Sequence, residues 1–312
     1  MTRDEVMNSI QLKKRFCKDC NLPIAVFDNP YFYERLCTLD FLFDCVDKFD
    51  TFCSELQNFA SEQDYFEYYN KVKDSIIDFI KAKDEYNTFV NEDYKTTSIV
   101  PKKNLYVEDN DRHVFISIDM KKANFSAMHH YSPKIFDDAA TWEQFMTMFT
   151  NSTHIINSKY IRQVVLGACN PKKQIKYEHH LMNMLCKHIM DSLPGLSIYS
   201  LGEDEILIEV YNEFPVNEFK KVVNSCPFGI GQLVRVEMFK LRKINGTDGY
   251  MKIYNNNPDE VEFKCLNAEI FHQVVKYYLG VPITDNDLVF YHDGKLARFL
   301  ESVEHHGIWI TF

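Results

Sequence analysis

Apolar runs long enough to cross a bilayer are missing: no stretch approaches the roughly 18 residues that a span requires. The opening MTRDEVMNSIQLKKRF also lacks the apolar region of a signal peptide. The expectation is a cytoplasmic protein with no membrane partner. A disulfide framework is equally excluded, because the nine cysteines are odd in number and scattered, and read as reduced thiols. Positive charge is in deficit, with 35 Lys and Arg against 45 Asp and Glu, a net charge of −10. That excludes a general nucleic-acid coat protein, whose phosphate affinity comes from clustered Lys and Arg. Internal repeats and low-complexity tracts are absent too.

Aromatic residues are plentiful, with 25 Phe and 18 Tyr. The acidity is concentrated in residues 1–110, which carry −7 of the net charge, against −3 for the remainder. This first part is glycine-poor, shows little strand alternation and reads as helices. SEQDYFEYYNKVKDSIIDFIKAKDEY, 61–86, opens on Ser61 and spaces Phe66, Tyr69, Val72, Ile76, Ile77 and Ile80 by threes and fours, one helical face. The polar stretch 91–104, with Pro101, marks a boundary.

Beyond it the pattern changes. HVFISID (113–119) predicts a buried strand, 141–149 a helix, and 158–167 a helix stopped by Gly167. Asn170 and Pro171 form an N-cap and first-turn pair for a long helix to Met190. LSIYSLG and EILIEV read as strands joined at GEDE; a helix near 216–224, a strand at 232–242 and a turn into YMKIY follow. The order implies an α+β protein, an antiparallel sheet backed by helices. Three regions are expected: an acidic helical part (1–104), a sheet domain (105–255) and a small C-terminal α/β segment (256–312).

If the predicted strands lie side by side, they bring acids together. Asp119 ends one strand, and Asp204 and Glu205 lie at the hairpin of two others. Three converging carboxylates repel one another unless a cation neutralises them, and hard oxygen ligands suit Mg²⁺ or Mn²⁺. Such a site activates a hydroxyl for in-line phosphoryl transfer. Cations for a triphosphate are at hand in Lys121 and Lys122, and in Lys159, Arg162, Lys172, Lys173 and Lys176, a run without acids. Lys172 and Lys173 fall in the first turn of the Asn170 helix, where free N–H groups favour anions.

DMKKANF, Asp119 to Phe125, resembles the first palm motif of reverse transcriptases and related right-hand polymerases. LGACNP, Leu166 to Pro171, is similar to the second, and YSLGEDE, Tyr199 to Glu205, to the acidic hairpin of the third. The resemblance covers about residues 110–255. It implies a palm-like sheet, catalytic and metal-binding roles for Asp119, Asp204 and Glu205, and a proton donor to pyrophosphate at Lys240 or Lys252. It further implies a nucleotide site drawing on Lys121, Lys122, Asn124, Phe125, Arg162, Asn170, Lys172 and Lys173. Partners would be nucleoside triphosphates and an RNA or DNA template. The hairpin also resembles the Gly-Gly-Asp-Glu-Phe loop of diguanylate cyclases, so a template-independent cyclase or oligonucleotide synthase is a second expectation. A third is a palm-derived scaffold without catalysis, binding a protein through its N-terminal helices.

Plainer readings stand beside these. Asp119 alone reads as a turn or cap residue, GEDE as a solvated hairpin tip, the 159–176 cations as a solvated helix face, and the aromatic stripes as core. Cys17-Lys-Asp-Cys20 has zinc spacing without a matching second pair. The doublets His129-His130, His179-His180 and His305-His306 place adjacent side chains about 100° apart on a helix, so neither member helps the other hold one ion.

Overall fold

The computed structural model describes residues 1–94, 97–255, 257 and 259–303; the His305-His306 doublet lies outside them. The chain opens with helices α1 (Arg3–Asn8), α2 (Ile10–Cys20), α3 (Tyr31–Phe43), α4 (Cys45–Leu56), α5 (Glu62–Lys81) and α6 (Asp84–Asn91). Ser61 caps α5 by accepting the Asp64 N–H at 3.2 Å. The buried stripe of α5 is Tyr65, Tyr69, Val72, Ile76 and Ile80; Phe66 and Ile77 are only partly buried at its margin. The helix expected to run to 86 ends at Lys81, because Lys83 is extended. That break turns Tyr86 and Phe89 of α6 into the core.

Next come β1 (Val114–Met120), α7 (Ala123–Tyr131), α8 (Trp142–Met146), α9 (Thr153–Asn157), α10 (Lys159–Gly167) and α11 (Pro171–Ser192). Strands β2 (Ile198–Leu201) and β3 (Glu205–Val210), helix α12 (Val216–Asn224), and strands β4 (Val234–Lys243), β5 (Tyr250–Tyr254) and β6 (Val261–Lys264) complete the sheet. Helix α13 (Ala268–Tyr278) and the hairpin β7 (Val289–His292) and β8 (Lys295–Arg298) follow. Gly167 does not stop α10; it is the last helical residue, and Ala168 keeps right-handed backbone. The stop comes at Asn170, left-handed at φ 55°, because the following Pro171 disfavours the right-handed helical region.

The six-stranded sheet is antiparallel throughout, in the order β2-β3-β1-β4-β5-β6. The fold is thus α+β, and β1 to β4 with their intervening helices follow the split β-α-β-β-α-β arrangement. Alternation along β1 sends Ile116, Ile118 and Met120 into the main core with α7 and α11. Phe115, Ser117 and Asp119 take the other face. There a smaller cluster forms from Leu105, Phe115, Leu207, Phe239, Leu241 and Tyr250.

The main cluster runs without interruption from Val6 to Val303, so the N-terminal helices and the sheet share one core. The aromatic stripes of α2 to α5 are part of it: Phe16, Phe32, Phe49 and Phe52 are buried. Among the described residues no helix is long and apolar enough to cross a membrane.

Candidate functional site

Asp119 sits one residue before the end of β1, and the antiparallel register sets it directly opposite Glu205 on β3 and Arg235 on β4. Directly opposed residues share a face of the sheet. Asp204 is held beside them by the backbone, since the Met120 N–H donates to its carbonyl at 2.9 Å. The hairpin bend is fixed from three sides. The Gly202 N–H donates to the Glu205 carbonyl at 2.8 Å, His179 of α11 meets the Gly202 carbonyl at 3.0 Å, and Lys102 pairs with Glu203 at 2.5 Å.

The three acids take different partners. Glu205 accepts from the Ser117 hydroxyl at 2.6 Å. The Asp119 carboxylate lies 3.4 Å from the Arg235 guanidinium, which also pairs with Glu237 at 3.0 Å. The Asp204 carboxylate is hydrogen-bonded by its own backbone N–H. Burial, then Glu205 and Asp204, push the Asp119 carboxyl up to about 6. Burial, then Glu205, raises Asp204 as well. The charged form of each is disfavoured by lost water and by like charge, and a cation relieves both.

Asp119 and Asp204 open into a cleft of ≈ 680 Å³ between the sheet and helices α7, α10 and α11. Lys122, Asn124, Lys159, Arg162 and Glu178 also line it. After β1 the chain turns into α7 through Lys122, whose backbone is left-handed at φ 47°, and this brings Asn124 to the cleft wall. The Lys122 ammonium is held by Glu143 of α8 at 2.5 and 2.6 Å. The Arg162 Nε is buried with no hydrogen-bond partner among the described residues.

The other residues singled out from the sequence are placed differently. Phe125 is buried against Phe136 and Trp142, so its ring is core. Lys121 reaches the Gln232 carbonyl at 3.3 Å. Asn170 caps α11 through the Lys173 N–H at 3.3 Å. The Lys173 ammonium turns outward to the Glu92 carbonyl and the Tyr94 ring, and Lys172 is exposed. Lys240 lies opposite Val114 and Ile253, on the helix-covered face away from Asp119. Lys252 is on the acid-bearing face, 6% exposed, its ammonium 4.4 Å from the centre of the Phe239 ring. Burial lowers its pKa against the opposing pull of Glu205, Glu262 and Asp119.

Three contributors were not anticipated. Arg235 needs the β1–β4 register, which no local pattern reveals. Glu143 is an ordinary first-turn acid of α8. Glu178 did leave a trace: it sits among Gln174, Tyr177, Leu181 and Met182 on the inward stripe of α11, a charge where the helical period calls for an apolar residue. Burial, then Asp204 and Glu203, push it up to about 7.

No protein-family model matches the chain, and neither a curated protein nor a solved structure is found to resemble it. Among the described residues no group of three or more His, Cys, Asp or Glu forms a ready-made cage for a metal ion. Mg²⁺ is ordinarily held by one or two carboxylates plus water and substrate phosphates. Asp119 and Asp204, crowded, partly buried and open to one cleft, have the required donor chemistry.

Proposed function

We propose that the chain is a metal-dependent nucleotidyltransferase with a palm-like sheet, joining a nucleoside triphosphate to an acceptor hydroxyl. The observation that carries this reading is the strand register: Asp119 faces Glu205 across β1 and β3 while Asp204, at the bend, opens into the cleft that holds an unpartnered Arg162. Asp119 and Asp204 would hold Mg²⁺ or Mn²⁺, with Glu205 and its Ser117 hydrogen bond keeping the pair in place. When bound, such an ion polarises the phosphoryl group and favours the ionised hydroxyl.

The protein groups do the rest. Arg162, Lys122 and Lys159 carry positive charge to the triphosphate, and Asn124 borders the sugar. The acceptor oxygen forms its bond to the α-phosphorus as the bond to the bridging oxygen breaks, and pyrophosphate leaves. Lys252 shares the acid-bearing face but is buried against Phe239 and Tyr106 away from the cleft lining, and Lys240 faces the other way, so neither is assigned the proton transfer to pyrophosphate.

A template-directed polymerase is one form of this chemistry, with RNA or DNA as partner. A specific feature favours the template-independent form. Residues 102–106 lie across the open face of the sheet: the Lys103 N–H donates to the Ser200 hydroxyl at 2.8 Å, Tyr199 donates to the Asn104 carbonyl at 3.0 Å, and Leu105 is buried. That segment and Glu205 line a cavity of ≈ 340 Å³, so a duplex resting on the sheet would have to share this face with it.

The test is release of labelled pyrophosphate from nucleoside triphosphates with Mg²⁺ or Mn²⁺, with and without primed RNA and DNA templates. The expected outcome is turnover that needs the cation and falls about a hundredfold or more in Asp119→Asn. Equal release from wild type and variant rejects the proposal. Cation-dependent triphosphate binding without turnover would instead identify a palm-derived binding protein.

A further inference from the structure

Glu178 is 6% exposed, and its carboxyl makes no hydrogen bond to any described residue. The charged groups that act on it are the acids Asp204 and Glu203. Across the same cleft, the guanidinium of Arg162 has a buried Nε without a partner. Its charged neighbour, Glu143, is already engaged by Lys122. Buried polar groups are nearly always satisfied, and each exception calls for an explanation. Arg162 Nε is such an exception, and the nearly buried Glu178 lines the same cavity without an ion pair to it.

A single ligand satisfies both if it carries an anionic end for Arg162 and hydrogen-bond donors for Glu178. The cleft, at ≈ 680 Å³, falls in the range that encloses a small organic ligand. We infer that Glu178 and Arg162 read a ribonucleotide, Arg162 accepting a phosphate and Glu178 the vicinal hydroxyls of ribose. This rests on the nucleotidyltransferase reading above and adds to it the choice of sugar.

Two arguments select the sugar. The two oxygens of a carboxylate match a pair of adjacent O–H donors, the same geometry by which acidic side chains hold ribose in dinucleotide-binding folds. Glu178 lines the same cleft as Asp204, the proposed cation holder, so on that reading it stands near the phosphates. In a nucleoside triphosphate the sugar, not the base, is the part next to the phosphates.

The test is equilibrium binding of ATP, GTP, CTP and UTP against their 2′-deoxy forms to the full chain in Mg²⁺. Wild type, Glu178→Gln, Glu178→Ala and Arg162→Gln are compared, with folding checked by circular dichroism. Wild type should prefer the ribose form by about tenfold or more, the effect of one charge-assisted hydrogen bond. Both Glu178 variants should bring that ratio close to one, while Arg162→Gln weakens both sugars equally and preserves it. Mn²⁺ binding without nucleotide should be unchanged in Glu178→Gln.

Equal affinity of wild type for both sugars overturns the inference. So does a ratio that survives in both Glu178 variants, or a loss of Mn²⁺ binding in Glu178→Gln, which would make Glu178 a cation ligand. In each of these cases Asp119-dependent turnover can persist, and the parent proposal stands. Failure of every triphosphate to bind, with or without Mg²⁺, removes both.

Discussion

Asp119 and Glu178 carry protons in the folded protein at pH values where the unfolded chain has released them. Burial first, and neighbouring acids second, raise Asp119 to about 6 and Glu178 to about 7. At these two groups the native state therefore binds more protons than the unfolded state across pH 4 to 7, and their contribution to stability falls as pH rises through that window, while His272, depressed to about 4 by burial, contributes with the opposite sign. For Glu178, which is nearly closed to solvent, the loss is about 3 kcal/mol; for the more open Asp119 screening reduces it. Urea denaturation at pH 5 and pH 7.5 isolates the Glu178 contribution: Glu178→Gln should gain stability relative to wild type as pH rises between them. Because a bound cation relieves the repulsion, Mn²⁺ should raise the thermal midpoint more at pH 7.5 than at pH 5. A stability difference between wild type and Glu178→Gln that is the same at both pH values would contradict this electrostatic account.

Helix α11 forms one wall of the cleft, and its start depends on one residue. Asn170 supplies both a left-handed backbone and a side-chain acceptor for the Lys173 N–H, and Pro171 follows at the first helical position. Asn170→Gly keeps the backbone conformation and should cost only a few tenths of a kcal/mol. Asn170→Ala loses the acceptor and strains the left-handed backbone, and should cost about 2 kcal/mol. Chemical denaturation of the pair checks the ordering, and a reversed order would show that the turn is held by something else. The hairpin from β2 to β3 is similarly local in origin, and GEDE marked it correctly. What GEDE could not reveal is that its acids would meet Asp119, because that depends on β1 inserting between β3 and β4.

The N-terminal helices and the sheet are joined by more than apolar contact. Asp19, fully buried on α2, accepts from Tyr69 of α5 at 2.8 Å and from Ser158 at 2.8 Å, and meets His154 of α9 at 3.0 Å. Ser158 is also the N-cap of α10, the helix that carries Arg162. A buried charged network held this way fails badly when one member is removed, since the others are left without partners. Asp19→Ala should therefore cost about 3 kcal/mol or more. Wild type should unfold in one transition whether followed by tyrosine absorbance or by helical circular dichroism, as a continuous core requires. Two separated transitions would divide the helical region from the sheet.

Period and punctuation in the sequence decided the elements. The three-four spacing of α5, the alternation of β1, the Asn-Pro start of α11 and the ends of β3 and β5 follow from rules acting over a few residues. The same local rules placed Asp119 at the end of its strand and the acids 204 and 205 at a bend. Which acids meet, which lysine shares their face, and which charges are left without partners depend on contacts between different elements, from 21 positions apart for Lys122 and Glu143 to 116 for Arg235 and Asp119. Arg235 opposite Asp119, Lys252 rather than Lys240 on the acid-bearing face, Lys173 turned away, and Glu178 buried beside Asp204 were settled only by strand register and helix packing. Those are set by burying one continuous apolar surface, and no short stretch of sequence contains the information for that.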